Sequence, residues 1–110
     1  MKPLTTEQLE KMIESGEQFE LINVLPPDQF EEQHIAGSVN IPVADDNFVE
    51  RVQQQAGGKD KPIVVYCASE ACDASPKAAK KLEDAGFTNV YDYEGGTKAW
   101  YVAGLATTQS

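Results

Sequence analysis

Two cysteines are too few for a disulfide-stapled scaffold. With a single histidine beside them they cannot close a structural zinc site without carboxylates, and no ligand spacing suggests one. No apolar run approaches the ~18 residues that span a bilayer. The opening stretch Met1-Lys2-Pro3-Leu4-Thr5-Thr6-Glu7 has no apolar segment of the signal-peptide kind. Basic residues are scarce as well: Lys+Arg is 9 against Asp+Glu 18, for a net charge of -9. Such an acidic surface argues against nonspecific binding to nucleic acid or to anionic membranes. Internal repeats and low-complexity tracts are absent. The expectation is a soluble cytoplasmic protein with neither a nucleic-acid nor a membrane partner.

What is present is globular in composition, with 41% hydrophobic and 25% charged residues. The 110 residues suit a single domain over 1–110 with one proper core. Gly57-Gly58-Lys59-Asp60-Lys61-Pro62 reads as a polar connection within it, because either side alone is too small to fold.

Periodicity supplies the elements. Thr5 with Gln8 three positions on forms a capping box. Leu9, Met12 and Ile13 give the helix behind it an apolar face, and Gly16 stops it. Phe19 to Val24 reads as a strand broken by Pro26-Pro27, followed by a short helix over Asp28 to Glu32. Ser38 to Ile41 is a second strand. Asp45 or Asp46 is expected to cap a helix striped by Phe48, Val49, Val52 and Ala56 and ended by Gly57-Gly58. Ile63-Val64-Val65-Tyr66 is a continuous apolar run, as in a strand buried on both faces of a parallel sheet. Ser75-Pro76 is a helix start, cap residue then proline. Ala78, Ala79, Leu82 and Ala85 form that helix's apolar face. Val90 to Tyr93 is a strand and Thr97 to Val102 a last short helix. Alternating strands and helices imply an α/β architecture with a largely parallel sheet.

Sites in such sheets lie beyond the carboxyl ends of the strands. The residue after the most buried strand is Cys67. It opens the loop Cys67-Ala68-Ser69-Glu70-Ala71-Cys72-Asp73-Ala74-Ser75, which runs into a helix. Loop amides and a helix N-terminus stabilise a thiolate or a persulfide anion. Cysteines so placed can have a pKa as low as about 3.5–7.5, against about 8.5 for a free thiol. Glu70 and Asp73 oppose that effect. A cysteine ending a buried strand can equally be a small core hydrophobe; the strand-loop-helix placement favours a reactive thiol. Cys72 is either a resolving thiol, closing a disulfide on a sulfenate or persulfide of Cys67, or an incidental loop residue. The spacing is not the Cys-x-x-Cys of thioredoxins. A cysteine phosphatase would need an arginine six residues after the nucleophile, where this chain has Asp73.

Taken together, the segments resemble a rhodanese-like sulfurtransferase domain from about Leu4 to Leu105. Leu21 to Phe30 resembles the family's "liDvRepeeF" segment, and Gln33 to Pro42 its "gHIpGAinIP" segment. Val64-Val65-Tyr66-Cys67 resembles the strand entering the catalytic cysteine. Ala78-Ala79, Leu82, Ala85-Gly86-Phe87 and Val90 match the helix and strand that follow. Glu94 to Trp100 with Gly104-Leu105 resembles the C-terminal "GG…aW…aGlp" segment. The resemblance implies a central, mostly parallel five-stranded sheet with helices on both faces. It implies that Cys67 accepts a sulfane sulfur, carries it as a persulfide and passes it to a nucleophile, with Ala68 to Asp73 as the substrate-binding loop. It implies no metal and no organic cofactor. The partners are a sulfur donor and acceptor, small molecules or protein persulfides.

The departures are as informative. The family's aspartate and arginine after the early strand are Asn23 and Leu25 here, and Ala68 to Ser75 holds no Arg or Lys. Thiosulfate is a dianion that loop cations help to bind, so weak thiosulfate activity and a persulfide donor are expected. A noncatalytic binding or regulatory module and a two-cysteine redox protein are the competing readings; a loop disulfide would favour the latter. His34 is expected to serve the fold rather than act as a base. A turn needing positive φ is expected at Gly95 and Gly96, Trp100 is expected in the core, and Tyr66, Tyr91 and Tyr93 are read as strand residues. Lys77, Lys80 and Lys81 are expected on a solvated helix face.

Overall fold

A computed structural model describes residues 1–109. Its strands are β1 (Lys2–Pro3), β2 (Glu20–Asn23), β3 (His34–Ile35), β4 (Val39–Asn40), β5 (Ile63–Tyr66), β6 (Val90–Tyr93) and β7 (Thr107–Thr108). Its helices are α1 (Thr6–Glu14), α2 (Pro27–Glu32), α3 (Phe48–Ala56), α4 (Ala74–Asp84) and α5 (Gly96–Val102). Five strands form one sheet in the order β1-β6-β5-β2-β4, and every neighbouring pair in it is parallel. β3 and β7 form a separate antiparallel pair.

Strand alternation divides the core in two. Ile63, Val65 and then Cys67 point to one face, where they meet Phe48 and Val52 of α3 and Ala78, Ala79 and Leu82 of α4. Val64 and Tyr66 point to the other, against Leu9 and Met12 of α1 and Trp100 of α5. All four residues of β5 are fully buried, and burying each of its aliphatic side chains contributes about 1.5–3 kcal/mol. The apolar run in the sequence is therefore the central strand, as expected.

The capping box of α1 is formed: the Gln8 amide donates to Thr5 Oγ1 at 3.1 Å and the Thr5 amide to Gln8 Oε1 at 2.9 Å. Three expectations need correction. Ile13, placed on the apolar face of α1, is 43% exposed, because the helix turns only Leu9 and Met12 fully inward. Asp45 and Asp46 do not cap α3; Asn47 holds the cap position without a side-chain bond, and Asp45 pairs with Arg51 instead. α4 begins at Ala74, one residue before Ser75, which sits buried inside the first turn. The two-residue strands β1, β3 and β7 carry no periodicity that could announce them. Among the described residues, no helix is long and apolar enough to cross a membrane.

The order of the sheet locates a crevice. From β2 the chain moves outward to β4, and from β5 it moves outward the other way to β6. The connections leaving β2 and β5 therefore diverge, and a crevice opens between their carboxyl ends. Cys67 follows β5 there, beside Leu25 beyond β2.

Candidate functional site

The backbone around Cys67 is held from the far end of the chain. The Thr97 amide donates to the Cys67 carbonyl at 3.0 Å, and the Lys98 amide donates to the Ala68 carbonyl at 2.9 Å. Both donors belong to the first turn of α5, whose free N–H groups would otherwise lack partners. Gly96 makes this approach possible. Its φ is +64°, and a Cβ there would strike the Cys67 carbonyl oxygen and come within 2.9 Å of the Ala68 carbonyl carbon and the Ser69 nitrogen. The expected positive φ is present at Gly96, whereas Gly95 has φ -63°. Close backbone contact with the loop is a second reason for glycine that the sequence reading did not see.

Cys67 is 1% exposed and is joined by a disulfide to Cys72, with the two Cα atoms 6.4 Å apart. The Cys72 amide donates to the Ser69 carbonyl at 3.0 Å, closing a turn through Glu70 and Ala71. Among the described residues, the amides of Ala68, Ser69, Glu70 and Ala71 have no protein acceptor. They are the donors available to a negatively charged group at this loop.

Two open grooves flank the loop. One, of about 580 Å³, lies between Ser69, Glu70 and Ala71 on the loop and Lys98, Ala99 and Val102 on α5. The other, of about 300 Å³, runs from Leu25 and Gln29 past Ala68 to Thr97, Lys98 and Tyr101. Lys98 rims both, so α5 brings to the mouth the cation that the loop lacks. The sequence signal for it is the segment Gly95-Gly96-Thr97-Lys98, far from Cys67 in the chain. Lys77 lends little charge: its ammonium lies 3.1 Å from the Asp73 carboxylate, both well exposed.

The residues at the family's departed positions have structural work. Asn23 is buried, and its Oδ1 accepts from the Leu25 amide at 3.0 Å, which shapes the turn leaving β2. The Tyr66 hydroxyl receives the Ile35 amide at 3.1 Å and meets Ser38 Oγ at 2.6 Å. Burial pushes the Tyr66 phenol above its ordinary pKa. His34 is buried, with Nδ1 2.8 Å from the Phe30 carbonyl and its ring stacked on Phe30 at 3.7 Å. Trp100 donates from Nε1 to the Ala106 carbonyl at 2.9 Å and meets Tyr93 edge-on at 6.2 Å.

One buried group had no place in the sequence reading. Asp92, on β6, is 1% exposed, and among the described residues neither carboxylate oxygen has a hydrogen-bond partner. Burial pushes its pKa up; the nearby Ser75 hydroxyl opposes the shift and the Glu94 charge adds to it.

Known proteins share this architecture. A family model described as a rhodanese-like domain matches residues 5–103. An HTH-type transcriptional regulator of Mycobacterium tuberculosis is 33% identical over 102 residues, which are 93% of this chain and 42% of the regulator. The chain thus spans about two fifths of that relative. Thiosulfate sulfurtransferase GlpE of Pseudomonas syringae is 33% identical over 99 residues, 90% of this chain and 86% of the enzyme. A crystal structure of a thiosulfate sulfurtransferase from Pseudomonas aeruginosa matches all of this chain and 20% of its own length, with a TM-score of 0.88 at 23% identity, a likeness of fold.

Proposed function

Because the chain belongs to the rhodanese-like sulfurtransferase family, we propose that it carries sulfane sulfur as a persulfide on Cys67 and hands it to a thiol or another nucleophile. The observation that carries this reading is the seat of Cys67. It lies beyond the central strand at the crevice where the sheet connections diverge, pinned by α5 and followed in the chain by loop amides that have no protein acceptor among the described residues. The reduced Cys67 thiolate attacks the outer sulfur of the donor and releases the donor's remainder with its electron pair. The acceptor then attacks the bound sulfur, and Cys67 leaves as the thiolate. Loop amides stabilise the anion in both halves.

Charge selects the donor. Glu70 and Lys98 both line the larger groove, and Glu32 and Lys98 both line the smaller one. Neither groove concentrates positive charge, so a thiosulfate dianion gains little there, and a singly charged or protein-borne persulfide fits better. The Cys67–Cys72 disulfide favours a second reading, dithiol–disulfide redox chemistry at the same loop.

Intact mass separates the readings. The reduced protein, Cys67→Ser and Cys72→Ser are exposed to thiosulfate or to a small persulfide, then to cyanide. A gain of one sulfur by Cys72→Ser, absent from Cys67→Ser and removed by cyanide, is the expected result. A loss of two hydrogens needing both cysteines, with no sulfur gained by Cys72→Ser, assigns redox chemistry alone. No mass change with any donor leaves a binding module.

A further inference from the structure

Sulfur transfer at Cys67 leaves Asp92 without a role. Asp92 is paired in register with Val65, so its side chain shares the face of the sheet that carries Cys67 and α4. A buried carboxyl group with the Ser75 hydroxyl beside it and no hydrogen bond of ordinary geometry among the described residues calls for a specific explanation in a folded protein. Here it forms part of a cavity of about 200 Å³ whose other walls are Glu70, Cys72, Ser75, Pro76 and Glu94. Cys72 thus has its disulfide to Cys67 on one side and a cavity with a buried acid on the other. Glu70 and Glu94 are exposed, and among the described residues no cation lines the cavity. Of the cations on neighbouring elements, Lys77 is taken by Asp73 and Lys2 of β1 lies over the Tyr91 ring at 5.5 Å.

We propose that Cys72 is the internal acceptor of the Cys67 persulfide, releasing hydrosulfide, and that Asp92 relays the proton of the Cys72 thiol across this cavity. The inference rests on the persulfide reading of Cys67. In the step, Cys72 Sγ attacks Cys67 Sγ. The bond between the two cysteine sulfurs forms, and the bond from Cys67 Sγ to the outer sulfur breaks. The outer sulfur leaves with the electron pair and is reduced to sulfide, while the two cysteines are oxidised to the disulfide. The persulfide begins as an anion, so without a proton its outer sulfur would have to depart as a doubly charged ion. Asp92 takes the proton from the Cys72 thiol and gives it up through the cavity to solvent, while the outer sulfur, on the side of Cys67 away from Cys72, takes a proton from water and leaves as HS⁻. A dithiol reductant resets the site: its first thiol opens the disulfide at Cys72, its second closes its own disulfide, and Cys67 leaves as the thiolate. The upward shift of the Asp92 carboxyl suits it to exchange a proton with a thiol.

Single-turnover release of sulfide tests this. Reduced protein freed of small thiols receives one equivalent of cysteine persulfide, and both sulfide and intact mass are followed with time over a range of pH. Cys72→Ser is expected to gain one sulfur and hold it. The unaltered protein is expected to lose two hydrogens and release one sulfide per chain. Asp92→Asn, with native circular dichroism, is expected to give the same products on the order of 100-fold more slowly. It should also lose a pH step that the unaltered protein shows above the ordinary carboxyl range. If the unaltered protein keeps its persulfide as long as Cys72→Ser does, Cys72 is not the acceptor, and the reading of Cys67 stands. Identical rates and pH profiles for Asp92→Asn and the unaltered protein remove Asp92 from the step. If Cys72→Ser takes up no sulfur, the reading of Cys67 fails and the inference fails with it.

Discussion

Gly96 is packed against the carbonyl of Cys67 with no room for a methyl group between them. The contact joins the turn into α5 to the loop after β5, and α5 then contributes the Thr97 and Lys98 amides that bind the loop. Gly96→Ala meets two penalties. A left-handed residue other than glycine costs roughly 1–2 kcal/mol, and the backbone collision adds to that. The expected outcome is destabilisation of about 2 kcal/mol or more in denaturant unfolding, with a loop displaced enough to change the alkylation rate of reduced Cys67. An unchanged midpoint and alkylation rate would show that the contact is dispensable.

The disulfide closes a small ring, its cysteines five residues apart. Chain-entropy arguments give a ring of that size about 2 kcal/mol of stabilisation. Reduction is therefore expected to lower the unfolding free energy by no more than that and to leave the fold intact. Alkylation without reductant should label neither thiol; after reduction it should label both. Loss of cooperative unfolding on reduction would contradict this.

Glu70 stands on the loop wall of the larger groove and Lys98 on the opposite one. Thiosulfate turnover by the unaltered protein is expected to show no saturation at submillimolar donor. Glu70→Lys removes an anion and adds a cation at an exposed position, where one charge pair contributes about 0.2–1 kcal/mol. Its kcat/KM for thiosulfate should rise about two- to fivefold, and the gain should shrink with added salt. Lys98→Ala should move thiosulfate turnover the other way. Submillimolar saturation by the unaltered protein would refute the charge argument.

Asp92 also makes stability depend on pH in a direction opposite to that of a paired carboxylate. Its folded pKa is raised by burial, so the folded chain keeps a proton that the unfolded chain has already released. Stability on this account is highest below the ordinary carboxyl pKa and falls as pH rises from there through the raised folded value. Asp92→Asn is expected to abolish that fall and to be the more stable protein at neutral pH. Denaturant midpoints of both proteins from pH 4 to 8 measure it; parallel curves would show that Asp92 is not kept protonated by the fold.

What could be read in the chain was what depends on pattern. The run Ile63 to Tyr66 is apolar at every position, which only a doubly covered strand explains, and the residue after it lies at the crevice. Thr5 with Gln8 formed its cap as written. Ser75-Pro76 misplaced the start of α4 by two residues, cap and first helical position alike, because proline is tolerated in a first turn where amides lack partners. Asp92 was illegible for a different reason. In Val90-Tyr91-Asp92-Tyr93 an acid flanked by tyrosines reads as a strand's solvent-facing position. It is buried only because α4 crosses over β6, and the sequence of β6 holds no record of that. Lys98 was missed because its relation to Cys67 is created by the fold.

The two sulfurs of the loop are unequally tethered. The Cys67 and Ala68 carbonyls are gripped by α5, whereas the turn leading to Cys72 is closed by a bond from its own amide to Ser69. Opening the ring leaves Cys67 moored at the end of β5 by α5, whereas Cys72 is then held by the turn of its own loop. The loop is thus a latch whose post is fixed from outside and whose tongue is held from within. A partner that reaches the post must first find the tongue drawn back.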